Sequence, residues 1–163
     1  MLLKAHRYFV TKPAWFVLSF FAGLFLFIKL AAFLLIAFFA PSAEFHMPAS
    51  EAPTDRMVLI ALVVAPLLET LIYQYVPIRV LLSIKPLQKY PVVGIVVSTI
   101  AFSLAHTNPA LIIFSGVVLA YNFYYFQKYK SVQFAYWSTV LLHAFYNLVT
   151  YLLAYKYAWV WMQ

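Results

Sequence analysis

The sequence predicts an all-α fold, a polytopic membrane bundle of about five transmembrane helices. Composition is the first reason: 66% of the 163 residues are hydrophobic and only 9% are charged, against about 45–50% and about 25% in soluble domains. Length of the apolar runs is the second. Several approach the roughly 20 residues that cross a ~30 Å hydrocarbon core. The third is that the basic residues gather at the ends of those runs, as positive-inside topology requires.

The first segment covers 14–39. It is too long for a signal-peptide core and carries Lys29, so it is read as retained. It forms either one long helix, tilted or bent at Gly23, or a re-entrant pair. The others are expected at 57–82, 92–106, 110–127 and 133–155, with boundaries good to a few residues. Between the first two lies a loop, 40–56, holding Pro41, Pro48 and Pro53 and long enough to cap a cavity. The link "HTNPAL" places Asn108 as N-cap and Pro109 at the first helical position. The third and fourth segments are therefore antiparallel neighbours. The chain reads as one transmembrane domain, 1–163, with an N-terminal helix and outer loop over 1–56 and a core over 57–155. No internal repeat is visible.

Orientation follows from the cations. Lys4, Arg7 and Lys12 precede the first segment, Arg79, Lys85 and Lys89 separate the second from the third, and Lys128 and Lys130 separate the fourth from the fifth. An odd number of spans puts these on one face, and the rule makes that face cytoplasmic, with the N-terminus on it. Arg56 and Lys156 fall on the other. The net charge of +7 is thereby explained without nucleic acid, for which there is neither a basic stripe interleaved with aromatics nor a motif. With no Cys, disulfide and thiolate chemistry are excluded.

Few strongly polar residues fall at membrane depth: Lys29, Glu69, Gln74, His106, Asn122, His143 and Asn147. Glu69 stands within "LVVAPLLETLIYQYVPI", with Arg79 the nearest cation in sequence. A charge there costs roughly 2.5–3.5 kcal/mol on insertion scales, and an intramembrane carboxylate is a functional candidate by default. His143 and Asn147, four apart, share one helix face. His106 closes "FSLAH", one turn beyond Phe102. At ~1.5 Å per residue, Glu69 and His143 both come near the midplane, and His106 lies nearer the outer boundary. A carboxylate and an imidazole can hold a water and accept its proton, while a second imidazole and an amide can stabilise an oxyanion. The competing readings are interhelical hydrogen bonding, worth about 0.6–2 kcal/mol per pair, and zinc ligation by one carboxylate and two imidazoles. Zinc rests on composition alone, since H-E-x-x-H is absent. Lys29 reads as a snorkelling cation and Asn122 as interhelical glue.

These residues resemble the motifs of the CPBP family, which comprises CAAX-type prenyl-protein endopeptidases and bacterial bacteriocin-processing and immunity relatives. The family pattern is E-E-x-x-x-R, F-x-x-x-H and H-x-x-x-N/D on separate membrane helices. Here "ETLIYQ" (69–74), "FSLAH" (102–106) and "HAFYN" (143–147) stand in that order, after an "APLL" lead-in. The resemblance implies that Glu69 and His106 activate water, that His143 and Asn147 form an oxyanion hole, and that no metal or other cofactor takes part. Two positions depart: Thr70 stands where the family has its second Glu, and Gln74 where it has Arg. Four residues apart, they are expected to hydrogen-bond as a neutral substitute for the ion pair.

The expected function is an intramembrane endopeptidase acting on a peptide or membrane-anchored protein in the lipid bilayer, in a bacterial inner membrane. The alternatives are a non-catalytic immunity or peptide-binding relative, a zinc-dependent membrane protease and a proton-coupled transporter.

Overall fold

The computed structural model describes residues 11–39, 54–106 and 109–161, and these form five helices. Helix α1 is Ala14–Phe39, α2 is Asp55–Ser83, α3 is Pro91–Leu104, α4 is Pro109–Tyr129 and α5 is Val132–Trp161. Each agrees with an apolar segment of the sequence to within a few residues, α5 running furthest past its expected end. Loop residues 40–53, the Asn108 cap, Lys4, Arg7, His6, His46 and the side chains of Lys29 and Lys156 lie outside what is described. Helix α1 runs unbroken through Gly23, so the re-entrant pair is not formed.

The helix starts follow local chemistry. Thr54 caps α2, its side chain accepting from the Met57 N–H at 3.3 Å, with Asp55 in the positive first turn. Ser131 does the same for α5, accepting from the Phe134 N–H at 3.0 Å. Proline opens α3 and α4, at the position where its missing N–H costs nothing. A short 3₁₀ turn, Lys85–Lys89, turns the chain from α2 into α3.

Helix α2 is not a regular α-helix. It widens twice into π turns, at Ile60–Val64 and at Thr70–Tyr75. Each π turn ends just before a proline, Pro66 or Pro77. A proline within a helix removes one donor and pushes against the carbonyl a turn earlier, and a wider turn relieves that crowding.

The core is aromatic. Phe102, Leu119, Phe123 and Phe126 are buried. Phe21 and Phe25 of α1 meet Tyr121 and Tyr146 edge-on, with centroids 5.8 and 4.2 Å apart. Tyr75 of α2 meets Phe123 at 5.9 Å. Helices α3 and α4 come together closely at Gly116, where an added Cβ would lie 3.2 Å from the Thr99 carbonyl and 3.3 Å from the Phe102 ring.

Outside, the pattern inverts that of a soluble protein. Thr70, Gln74, Ser98, Thr99, Ser103, Asn122, Ser138, Thr139 and His143 are buried, while Trp15, Phe27, Leu59, Ile72, Val92, Leu104, Phe114, Trp137 and Leu141 are exposed on all five helices. Hydrocarbon as solvent accounts for both halves of this: it tolerates apolar side chains and drives polar ones inward. Among the described residues, Asp55–Ser83 is the one helix both long and apolar enough to qualify as a span by itself, and Ala14–Ile28 and Pro91–Leu104 are shorter apolar stretches.

Gly116→Val drives methyl groups into the Thr99 backbone and the Phe102 ring, and overpacking of this kind costs about 1–3 kcal/mol. At Gly23 an added Cβ would meet nothing within 4 Å, so this position accepts Ala without loss. Thermal unfolding in detergent should therefore show a lowered midpoint for Gly116→Val and none for Gly23→Ala.

Candidate active site

Three of the four residues singled out by the sequence meet at one point. The Glu69 carboxylate oxygen Oε2 lies 3.6 Å from His106 Nε2 and 3.5 Å from His143 Nε2. Glu69 comes from the α-helical turn between the two π turns of α2, His106 from the residues just past α3, and His143 from the middle of α5. His106 reaches this depth because its backbone turns back on α3, its N–H bonding to the Ser103 carbonyl at 3.1 Å.

Phe102 holds the imidazoles apart and aligned. Its ring is tilted under His106 at 4.6 Å between centroids and stands edge-on to His143 at 5.4 Å. Tyr73 of α2 closes the other side at 6.0 Å. The site is a cleft wall rather than a sealed cavity. Glu69 and His106 side chains are 27% and 29% exposed, whereas His143 is 1% exposed.

The two imidazoles present opposite faces to Glu69. His106 Nδ1 is 2.7 Å from the Phe102 carbonyl oxygen. A carbonyl only accepts, so Nδ1 carries the proton and Nε2 of the neutral ring points a lone pair at the cleft. For His143, Nδ1 is buried without a partner. An unpaired buried acceptor is cheaper than an unpaired buried N–H, so its proton belongs on Nε2, facing Glu69. One ring thus offers an acceptor and the other a donor to whatever sits beside the carboxylate. Among the described residues, no group of three His, Cys, Asp or Glu is arranged to hold a metal ion.

Asn147 is placed one turn from His143, and its amide is engaged elsewhere. Nδ2 donates to the Ala61 carbonyl oxygen at 2.7 Å. The reason lies in α2. The Ala65 N–H, the regular partner of that oxygen, bonds instead to the Ile60 carbonyl in the π turn, and the next residue, Pro66, has no N–H. Asn147 supplies the missing donor and keeps a second N–H.

The expected Thr70–Gln74 hydrogen bond is not formed. Both side chains are fully buried on the second π turn, and Thr70 Oγ1 and both amide atoms of Gln74 have no hydrogen-bond partner. The widened turn breaks the four-residue spacing on which that pairing depends. Asn122 does join helices: Nδ2 bonds Thr139 Oγ1 at 2.9 Å and Ser138 Oγ at 3.3 Å.

Two further residues at the site do not stand out in the sequence. Tyr136 of α5 donates its hydroxyl to the Leu67 carbonyl at 3.0 Å, and Ser98 of α3 donates to the Tyr73 carbonyl at 2.6 Å. The sequence signal for Ser98 is Pro77, which removes the N–H that the Tyr73 carbonyl would use, and nothing in the sequence points to Tyr136.

A family model described as type II CAAX prenyl endopeptidase Rce1-like matches residues 55–149, which include every residue of this site. No curated protein and no solved structure matches the chain.

Removing the Asn147 amide orphans the Ala61 carbonyl, so Asn147→Ala should lower stability by about 1–3 kcal/mol. Pro66→Ala restores an N–H within reach of that carbonyl and should recover part of the loss in the double variant. A double-mutant cycle on unfolding measures the coupling, and a value near zero would show that the bond contributes nothing.

Proposed function

The chain belongs to the type II CAAX prenyl endopeptidase Rce1-like family, a protease family of integral membrane proteins, and on that premise we propose that it is an intramembrane endopeptidase of the metal-free, glutamate-dependent kind. The observation that carries the reading is the meeting of two imidazoles, through their Nε2 atoms, at one carboxylate oxygen.

A water seated against Glu69 can donate one hydrogen bond to the carboxylate and one to the His106 Nε2 lone pair. Both are bases, and either takes the proton as the water oxygen attacks the carbonyl carbon of the scissile peptide. The carbonyl π bond opens and its oxygen becomes negative. His143, donating through Nε2–H, and the second N–H of Asn147 stabilise that oxyanion. When the tetrahedral intermediate collapses, the C–N bond breaks and the proton held by Glu69 or His106 passes to the leaving nitrogen. The products are a carboxylic acid and an amine, and the acid's proton passes to the amine to leave a carboxylate and an ammonium. Burial of His143 strengthens its interaction with the oxyanion, because bulk water does not compete there.

Thr70 and Gln74 fit this scheme. They carry no charge, so the absence of the family's Glu and Arg leaves no lone ion beneath the site. The substrate is a peptide or membrane-anchored protein, reached through the exposed side of the Glu69–His106 pair. The five helices span the bilayer with the N-terminus in the cytoplasm, in a bacterial inner membrane.

In detergent, against a library of peptides and membrane-anchored reporters, Glu69→Gln should lower turnover by about 10²–10⁴-fold and His143→Ala by about 10²–10³-fold, and a chelator should change nothing. Chelator inactivation reversed by zinc would instead make Glu69, His106 and His143 metal ligands. Cleavage that survives both substitutions would remove them from the chemistry.

Orientation is tested separately. The chain has no Cys, so single cysteines give clean labels. In intact cells an impermeant maleimide should label Thr54→Cys and spare Gln88→Cys, and the reverse pattern would invert the topology.

A further inference from the structure

The turn of α2 that carries Glu69 is held by side chains from two other helices. The Leu67 carbonyl, two residues before Glu69, accepts the Thr70 N–H and, at 3.0 Å, the Tyr136 hydroxyl. The Tyr73 carbonyl, four residues after, would bond the N–H of residue 77 in a regular helix. Residue 77 is proline, and Ser98 Oγ donates in its place at 2.6 Å. These two bonds bracket Glu69 and tie it to α5 and α3, the helices that bring His143 and His106. Side-chain hydroxyls satisfying carbonyls freed by proline are how membrane helices tolerate it.

From this bracketing we infer that Tyr136 and Ser98 are positioning residues for the Glu69 carboxylate, acting through the α2 backbone rather than by contact with substrate. The inference rests on the catalytic reading of Glu69 for its effect on rate, but not for its effect on geometry. Ser98 is fully buried, where an unmade hydrogen bond is costly, and Tyr136 lines a mostly apolar groove with Leu71, Tyr75, Val132, Gln133 and Trp137. Without the two hydroxyls the π turn is free to slide its widened register along α2, carrying Glu69 away from the imidazoles. A displacement of about 1 Å at a reacting group can cost about 100-fold in rate.

The test uses full-length protein in lipid nanodiscs with Tyr136→Phe, Ser98→Ala and the control Tyr90→Phe, whose ring is exposed. The first readout is the infrared carboxyl band of Glu69, recorded at acid pH where the carboxylate has taken up its proton and identified by its loss in Glu69→Gln. The second is kcat and KM on a cleaved reporter. The expected result is a shifted band in the first two variants and not in the control, with kcat down roughly 10- to 100-fold and KM unchanged. An unmoved band in folded Tyr136→Phe and Ser98→Ala overturns the inference, as does a loss confined to KM. Should wild type cleave nothing, the catalytic reading falls while the infrared band still decides this one. Ser98→Ala, which removes one buried atom, carries the test if Tyr136→Phe does not fold.

Discussion

The constraint on which the rest depends is that a backbone carbonyl in hydrocarbon must find a donor. Helix α2 breaks its own ladder twice, at Pro66 and at Pro77, and cannot repair it from within. The repair comes from outside, Asn147 donating to Ala61 and Ser98 to Tyr73, while Tyr136 adds a second donor to the Leu67 carbonyl that already accepts the Thr70 N–H. Each of these bonds ties α2 to α3 or α5. The helix that holds the carboxylate is thereby locked to the two helices that supply the imidazoles, and the same prolines that weaken α2 locally specify how it docks.

Around this frame the packing is divided by polarity in the sense a membrane imposes. Aromatic rings fill the space between α1, α4 and α5, while hydroxyls and amides line the contacts among α2, α3, α4 and α5. Phe102 belongs to both groups. It is part of the core, and it is also the surface on which His106 and His143 rest. The close approach at Gly116 presses α4 onto this ring, so the packing of α3 on α4 and the orientation of the imidazoles are one mechanical problem.

Neutral residues at 70 and 74 have a physical logic here. The second π turn places both side chains in the fully buried interior. A charged pair there would need near-ideal geometry to offset its desolvation, and the widened turn removes the regular spacing that such a pair uses. Uncharged Thr70 and Gln74 suit a site whose ionisable groups are confined to one carboxylate and two imidazoles at the cleft wall.

The sequence by itself determined the helix class and the five segments, because apolar run length and end charges are local properties that survive any packing. It also singled out Glu69, His106, His143 and Asn147, because polar groups stand out against hydrocarbon. Tertiary structure alone decided what they face. The convergence of Glu69 with both imidazoles depends on how three helices cross, and a one-dimensional depth estimate leaves His106 a turn too far out. The engagement of Asn147 with Ala61 and the failure of Thr70 and Gln74 to pair follow from the π turns, the part taken by Ser98 follows from Pro77, and that of Tyr136 from where α5 packs on α2. Those turns relieve steric conflict at Pro66 and Pro77, and where the freed carbonyls find donors depends on neighbours distant in the chain.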